Sequence, residues 1–214
     1  MQQLKRSYTN LEKCAHSRPE ANPESTNNSQ WQCYRVSMPF RIRPATPADA
    51  AAIAHVHIAS WKTTYPGIVP DAGIAALREE DSRQRWQERL EAADIPIFVA
   101  EFDTGVFGFL AGGPIRKPIE DYDGELYALY LLQSHQRLGA GRALVHQLAS
   151  TLHSQGFQSM LVWVLEANPA VGFYQHLGAV QVTRQTIEIG GANLSELSFG
   201  WPSLQLLSEF PSPK

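Results

Sequence analysis

The sequence predicts a mixed α/β fold, a single sheet with helices on both faces. Three observations point there. Short, β-like apolar runs alternate along the chain with runs of helical period. The run Met-Leu-Val-Trp-Val-Leu at 160–165 is apolar throughout, as a strand covered on both faces would be. The stretch 136–142, Gln-Arg-Leu-Gly-Ala-Gly-Arg, separates an aromatic-rich apolar run at 126–132 from a run in which Leu144, Leu148 and Leu152 recur at helical spacing. Its glycines therefore lie in a strand-to-helix turn. Such a turn presents free backbone N–H groups at the positive end of a helix dipole, a ready site for phosphate. Taken alone it is also a plain flexible turn, with glycines for tight packing.

The elements follow in order. Phe40 and Ile42 alternate with Arg41 and Arg43 in a short first strand. Thr46, Pro47 and Asp49 start a helix, with Thr at the cap, Pro in the first position and an acid in the first turn. That helix runs through Ile53, Val56 and His57 to about Trp61, and Tyr65-Pro66-Gly67 ends it. A second helix starts near Pro70-Asp71, and a third is expected over 81–90. Residues 97–101 and 106–111 are strands joined by the turn Asp103-Thr104-Gly105. Residues 114–123 read as a polar loop. After the 126–132 strand and the glycine turn comes a helix to Gln155, closed by Gly156. The 160–165 strand leads to Asn168-Pro169, which caps a helix burying Ala170, Phe173, Tyr174 and Leu177 and ending at Gly178. Val180 and Val182 open a last section, in which 186–189 and 194–199 form a hairpin around Gly190-Gly191. Residues 204–214 read as a weakly ordered tail.

Composition sets bounds. The chain has 214 residues, 43% of them hydrophobic, and a net charge of −3. That is enough for one domain with a sizeable core. No basic face points to nucleic acid. No apolar run approaches the ~18 residues of a membrane span, and no apolar segment follows the first residues as in a secretory signal. Cys14 and Cys33 read as reduced thiols of a cytoplasmic protein, and no Cys/His cluster has metal-ligand spacing. Residues 17–32, rich in Pro, Asn, Ser and Glu, mark 1–38 as a disordered extension, or as the product of a start codon assigned too early.

The order of elements, with a glycine turn after the fourth strand, resembles the GCN5-related N-acetyltransferase (GNAT) family over roughly 40–201. That family's acetyl-CoA motif, Gln/Arg-x-x-Gly-x-Gly/Ala, is matched by Gln136, Arg137, Leu138, Gly139, Ala140 and Gly141. A second motif, Asn-x-x-Ala-x-x-Phe-Tyr-x-x-Leu-Gly, is approached by Asn168 through Gly178, with Gly172 where Ala or Arg is common. Gln133 stands where many members have Pro. The resemblance implies a mixed, mostly antiparallel sheet splayed between strands four and five. It implies acetyl-CoA as co-substrate, without a metal. The pyrophosphate would sit on the amides from Arg137 to Arg142, and the pantetheine arm would pair with the backbone of Leu129, Tyr130 and Leu131 like an added strand. Asn168 and Tyr174 belong to the same coenzyme site.

The resemblance also supplies roles for the chemistry. Acetyl transfer to an amine needs a base, a polarised thioester oxygen and a stabilised thiolate. Tyr174 is the candidate acid facing the sulfur; the alternative is a packed helix aromatic. Glu125 is the candidate base; alternatively it binds the substrate ammonium or is a strand-end carboxylate. Alternation puts Glu125, Tyr127 and Leu129 on one side of the strand. Trp61, Tyr65, Glu125 and Tyr127 are the candidate acceptor-binding residues. Trp61 and Tyr65 are equally suited to a cation–π wall or to core anchoring, and Glu188 and Glu196 in the last hairpin are further carboxylates near the acceptor. The expected activity is transfer of an acetyl group to a primary amine, most naturally of a small molecule, in a monomer or homodimer without nucleic-acid or membrane partners. A protein amine as acceptor and a non-catalytic CoA-binding module are the alternatives. A dinucleotide-binding domain is disfavoured, because it would carry its glycines after the first strand.

Overall fold

The computed structural model describes residues 40–208. The expected N-terminal extension, with Cys14 and Cys33, lies outside these residues, as do residues 209–214.

Seven strands form a single sheet: β1 (Arg41–Pro44), β2 (Ile97–Phe102), β3 (Gly105–Ile119), β4 (Tyr122–Leu131), β5 (Met160–Leu165), β6 (Val180–Ile189) and β7 (Ala192–Trp201). Their order across the sheet is β1-β2-β3-β4-β5-β7-β6. Only the β4–β5 pair is parallel. Helices α1 (Ala50–Thr64), α2 (Asp71–Ala75) and α3 (Glu79–Ala92) follow β1, α4 (Ala140–Ser154) follows β4, α5 (Ala170–His176) follows β5, and α6 (Leu204–Ser208) closes the described chain.

The two helical layers follow from two apolar stripes. On α1, Ile53 and Val56 are buried and pack with Leu90 of α3 against Val99, Phe109 and Ala111 of the sheet. On α4, Leu144, Leu148 and Leu152 are buried against Leu110, Leu126, Met160 and Val162 on the opposite face. Thr46 and Pro47 open a 3₁₀ turn, Pro47–Asp49, which leads into α1 at Ala50. Asp49 accepts hydrogen bonds from Thr46 N and Oγ1 at 2.8 and 2.9 Å and holds the Arg43 guanidinium through two bonds of 2.8 Å. That pairing keeps the Asp49 carboxyl down at about 2.

Two expectations are corrected. Residues 114–123 are not a loop: β3 runs to Ile119 and turns directly into β4. Pro114 and Pro118 masked the strand in the sequence. They are tolerated because β2 pairs with β3 only as far as Ala111, so the missing N–H groups have no ladder to serve. Residues 204–208 are not a loose tail. They form α6, with Leu204 and Leu207 buried in the α4-side core.

Candidate active site

The site is built where the sheet divides. β4 and β5 pair at only three positions, Gly124 with Met160, Glu125 with Leu161 and Leu126 with Val162. Beyond these, β4 continues beside β3, while Trp163, Val164 and Leu165 pair with β7 alone. The backbone of Leu129, Tyr130 and Leu131 thus borders a gap on its β5 side, as the resemblance implied. A bulge precedes it. Ala128 pairs with Ala111 and Leu126 with Gly112, so Tyr127 has no partner on β3. The extra residue breaks the expected alternation. Leu126 and Leu129 both pack on the α4 side, and Leu129 does not share a side with Glu125.

At the C-terminal mouth of the gap lies the glycine turn. A 3₁₀ turn at Gln133–His135 leads into residues 136–139, all exposed, and α4 begins at Ala140. Arg137 and Gly139 both take left-handed backbone conformations, with φ of 63° and 86°. Gly139 is required there, whereas Arg137 is an uncommon residue for that region. Gln136 Nε2 donates to Leu131 O at 3.4 Å, tying the turn to the end of β4. Leu138 is 38% exposed, Ala140 and Gly141 are buried, and Arg142 is exposed. The helix opens outward, with its first-turn N–H groups beside the gap. A Cβ on Gly141 would come within 3.3 Å of Leu131 and Phe173, so this glycine sets the close approach of α4 to β4 and α5.

Inside the gap a chain of hydroxyls connects four elements. Trp61 of α1 donates Nε1–H to the Tyr130 hydroxyl of β4 at 3.1 Å. The Tyr130 and Tyr65 hydroxyls are hydrogen-bonded. Asn168, just past β5, donates Nδ2–H to the Tyr65 hydroxyl at 3.2 Å. The Asn168 Oδ1 caps α5 by accepting from Ala170 N at 2.9 Å. Burial pushes the phenols of Tyr65 and Tyr130 up, that of Tyr130 well above its ordinary value. Tyr174 of α5 is 6% exposed, with its ring edge-on to Phe173 and Trp201. Its hydroxyl has no hydrogen-bond partner among the described residues, yet no buried side-chain oxygen among them is left unsatisfied. The Tyr174 oxygen therefore opens to an accessible space. Burial raises its pKa well above the usual tyrosine range.

A second cluster stands at the closed end of the gap. Glu125 is 1% exposed. Its Oε2 accepts from Arg116 N at 3.0 Å, and its Oε1 accepts from Arg116 Nε at 3.0 Å and from Nη2. The Arg116 guanidinium lies 4.6 Å from the Tyr127 ring centroid, and Tyr127 donates its hydroxyl to Pro114 O. The bonds to Glu125 hold the Arg116 charge more firmly. Glu196 of β7 accepts from Gln185 Nε2 at 2.8 Å, and its charge acts on both Arg116 and Tyr65.

The structure thus brings Trp61, Tyr65, Tyr130 and Asn168 into one network across the gap, and keeps Glu125 and Tyr127 apart from it with Arg116. Asn168, expected at the coenzyme, has both ends of its side chain engaged by protein. Glu188 is exposed in β6 beside the hairpin turn. The sequence reading missed Arg116, hidden in the supposed loop, and the side chain of Tyr130, a residue given a role only through its backbone. Alternation of Ile115 and Arg116 before Pro118 was the available signal for the first. Among the described residues no group of His, Cys, Asp and Glu is arranged to hold a metal ion, and no helix is long and apolar enough to cross a membrane.

Known proteins share this fold. Residues 108–187 match the FR47-like protein family. Over 167 residues the chain is 44% identical to YuaI of Bacillus subtilis, described as an uncharacterized N-acetyltransferase, covering 78% of this chain and 95% of that protein. It is 31% identical over 157 residues to the phosphinothricin N-acetyltransferase of Streptomyces viridochromogenes, covering 72% and 80%. Among solved structures, yncA of Salmonella typhimurium, a putative acetyltransferase with acetyl-CoA, superposes with a TM-score of 0.59 at 22% identity, covering 82% of this chain and 98% of that one. The PaiA N-acetyltransferase of Thermoplasma acidophilum, in complex with coenzyme A, gives 0.57 at 21% identity, covering 74% and 97%. Fold and relatives together define an N-acetyltransferase, an acyltransferase built on a splayed mixed sheet. The chain belongs to the GCN5-related N-acetyltransferase family.

Proposed function

We propose that this enzyme moves the acetyl group of acetyl-CoA to a primary amine of a small molecule by direct attack in a ternary complex. The observation that carries the reading is the gap between β4 and β5. It is flanked at its mouth by the outward-opening turn before α4 and within by the unpartnered hydroxyl of Tyr174. The turn offers N–H groups and the helix dipole to a pyrophosphate, with Arg137 and Arg142 adding charge. The gap leaves the β4 backbone free to pair with an extended, amide-bearing arm. The yncA and PaiA structures hold acetyl-CoA and coenzyme A, which supports the same donor here. The S. viridochromogenes relative is named for phosphinothricin, which supports a small acceptor.

In the reaction the amine nitrogen attacks the thioester carbon, the C–S bond breaks, and one amine proton must leave. Tyr174 stabilises the departing thiolate. A phenol held above its usual pKa keeps its proton at neutral pH, and a thiol titrates near 8.5, so Tyr174 acts first as a hydrogen-bond donor to sulfur. The proton that neutralises the thiolate is then the one released by the amine. Glu125 is the carboxylate assigned to take the other proton, the one the substrate ammonium sheds towards solvent before attack. Its lone pairs are shared with Arg116, so it does so once the substrate ammonium displaces the guanidinium. Trp61, Tyr65, Tyr127 and Glu196 border the acceptor.

The test is CoA-thiol release from acetyl-CoA across a panel of small amines, repeated with Tyr174→Phe and Glu125→Gln. At least one amine should support turnover, and each variant should lower kcat by about a hundredfold or more, within the usual range for a lost acid or base. Binding of acetyl-CoA with no release for any amine would turn the assignment towards a coenzyme-binding module. Turnover unchanged in both variants at every pH would remove their roles.

A further inference from the structure

The outer hydrogen bonds in the gap have directions fixed by the chemistry of their ends. A Trp Nε1–H and an Asn Nδ2–H only donate. Tyr130 accepts from Trp61, and its bond with the Tyr65 hydroxyl raises the pKa of Tyr130 and lowers that of Tyr65, as when Tyr130 donates to Tyr65. Tyr65 also accepts from Asn168. The Tyr65 oxygen is thus the end point of two donors, one from β4 and one from the turn after β5. Its own proton has no acceptor among the described residues. Because its two partners stand on β4 and on the turn after β5, the hydroxyl lies across the opening. Two donors on one hydroxyl polarise it and strengthen the bond it gives in turn.

We propose that Tyr65 is a donor to the coenzyme, its proton directed at a carbonyl of the acyl-bearing arm lying between β4 and β5. This rests on the acetyl-CoA reading above and differs from the acceptor-wall role that its position after α1 implies. The carbonyl is either that of the thioester or an amide carbonyl further along the arm, and the two are separable by ligand. The network also explains the unusual engagement of Asn168. Its Oδ1 holds α5, and with it Tyr174, while its Nδ2 holds Tyr65, so one side chain positions both hydroxyls.

The experiment is calorimetric titration of the whole protein with acetyl-CoA and with CoA, for wild type, Tyr65→Phe and Asn168→Asp. The second variant keeps the cap on Ala170 but offers Tyr65 an acceptor, which draws its proton away from the arm. Both variants should weaken acetyl-CoA by about five- to tenfold, the worth of one hydrogen bond. If the thioester carbonyl is the acceptor, CoA affinity stays within twofold of wild type; if an amide carbonyl is, both ligands weaken alike. Unchanged affinity of Tyr65→Phe for both ligands overturns the proposal. A wild type that binds neither ligand overturns the acetyl-CoA reading itself and the proposal with it.

Discussion

His57 shows how far a single side chain can depart from what its sequence position implies. On α1 it reads as an ordinary helix residue. In the fold its ring meets Tyr130 at 4.9 Å and stands edge-on to Trp61, Trp86 and Phe109, with Nδ1 3.3 Å from Ser82 Oγ. The charged group acting on it is Arg85, and burial is the larger cause of a pKa lowered to about 4. The ordinary value is near 6.5, so between the two the unfolded chain binds more protons than the folded one. Stability from this residue is therefore complete above pH 6.5 and is lost as the pH falls towards 4. Between pH 7 and pH 5 the loss is about 2 kcal/mol. Asp49, held at about 2, contributes only below this window. Urea midpoints at the two pH values should show the drop in wild type and a clearly smaller one in His57→Phe. Equal drops would assign the acid sensitivity elsewhere. Nothing in the sequence shows this cage, because its walls come from α1, α3, β3 and β4. Tyr174 and the glycine turn, by contrast, were legible, since local motif spacing places them.

Among the elements, β4 carries most of what sequence patterns misjudged. Alternation assigned Glu125, Tyr127 and Leu129 to one side, and the bulge at Tyr127 moved Leu129 to the other. The residues opposite, Gly112 and Gly113, were the only trace of it, and a pair of glycines in a strand does not name its cause. Gly124 has a different reason. A Cβ there would stand 2.8 Å from Ser159 O, so the parallel contact to β5 begins only because the side chain is absent. The last helix was misjudged for another reason. Five residues are too few to show a period, although the run Ser-Leu-Gln-Leu-Leu at 203–207 is apolar enough to bury. Leu204 is 0% and Leu207 3% exposed, and α6 covers the end of α4 beside Trp201. Ending the chain after Pro202 should cost about 3–6 kcal/mol, at roughly 1.5–3 for each of the two buried leucines. Guanidinium unfolding of the shortened chain reads this directly, and a midpoint equal to wild type would mean that α6 adds no stability.

At the scale of the molecule, one sheet is made to behave as two. β1 to β4 form one half and β5 to β7 the other, and three residue pairs hold them together in the ladder. Elsewhere the halves meet through side chains: the α4 layer on one face, and on the other the cluster of Tyr65, Val69 and Leu165 with Trp61, Ile187 and Leu194 around it. An opening of this kind leaves β4 amides beyond Leu126 without a strand partner on the β5 side, and unpaired amides exchange with solvent through small local motions. An arm that pairs with β4 must therefore act first on those amides. Hydrogen exchange with saturating acetyl-CoA should slow the gap-facing amides of 129–131 and those of 137–142, while amides within the β1–β2 pair that exchange by local opening stay as they were. Saturation at about a hundred times Kd adds about 2.7 kcal/mol to global stability. In a chain of this size that raises the melting temperature by about 5–10 °C. The two readouts separate two kinds of binding. A rise in melting temperature without local protection at 129–131 would put the coenzyme outside the gap. Protection confined to 137–142 would mean that only the pyrophosphate is held. Protection of both segments would seat the arm between the halves.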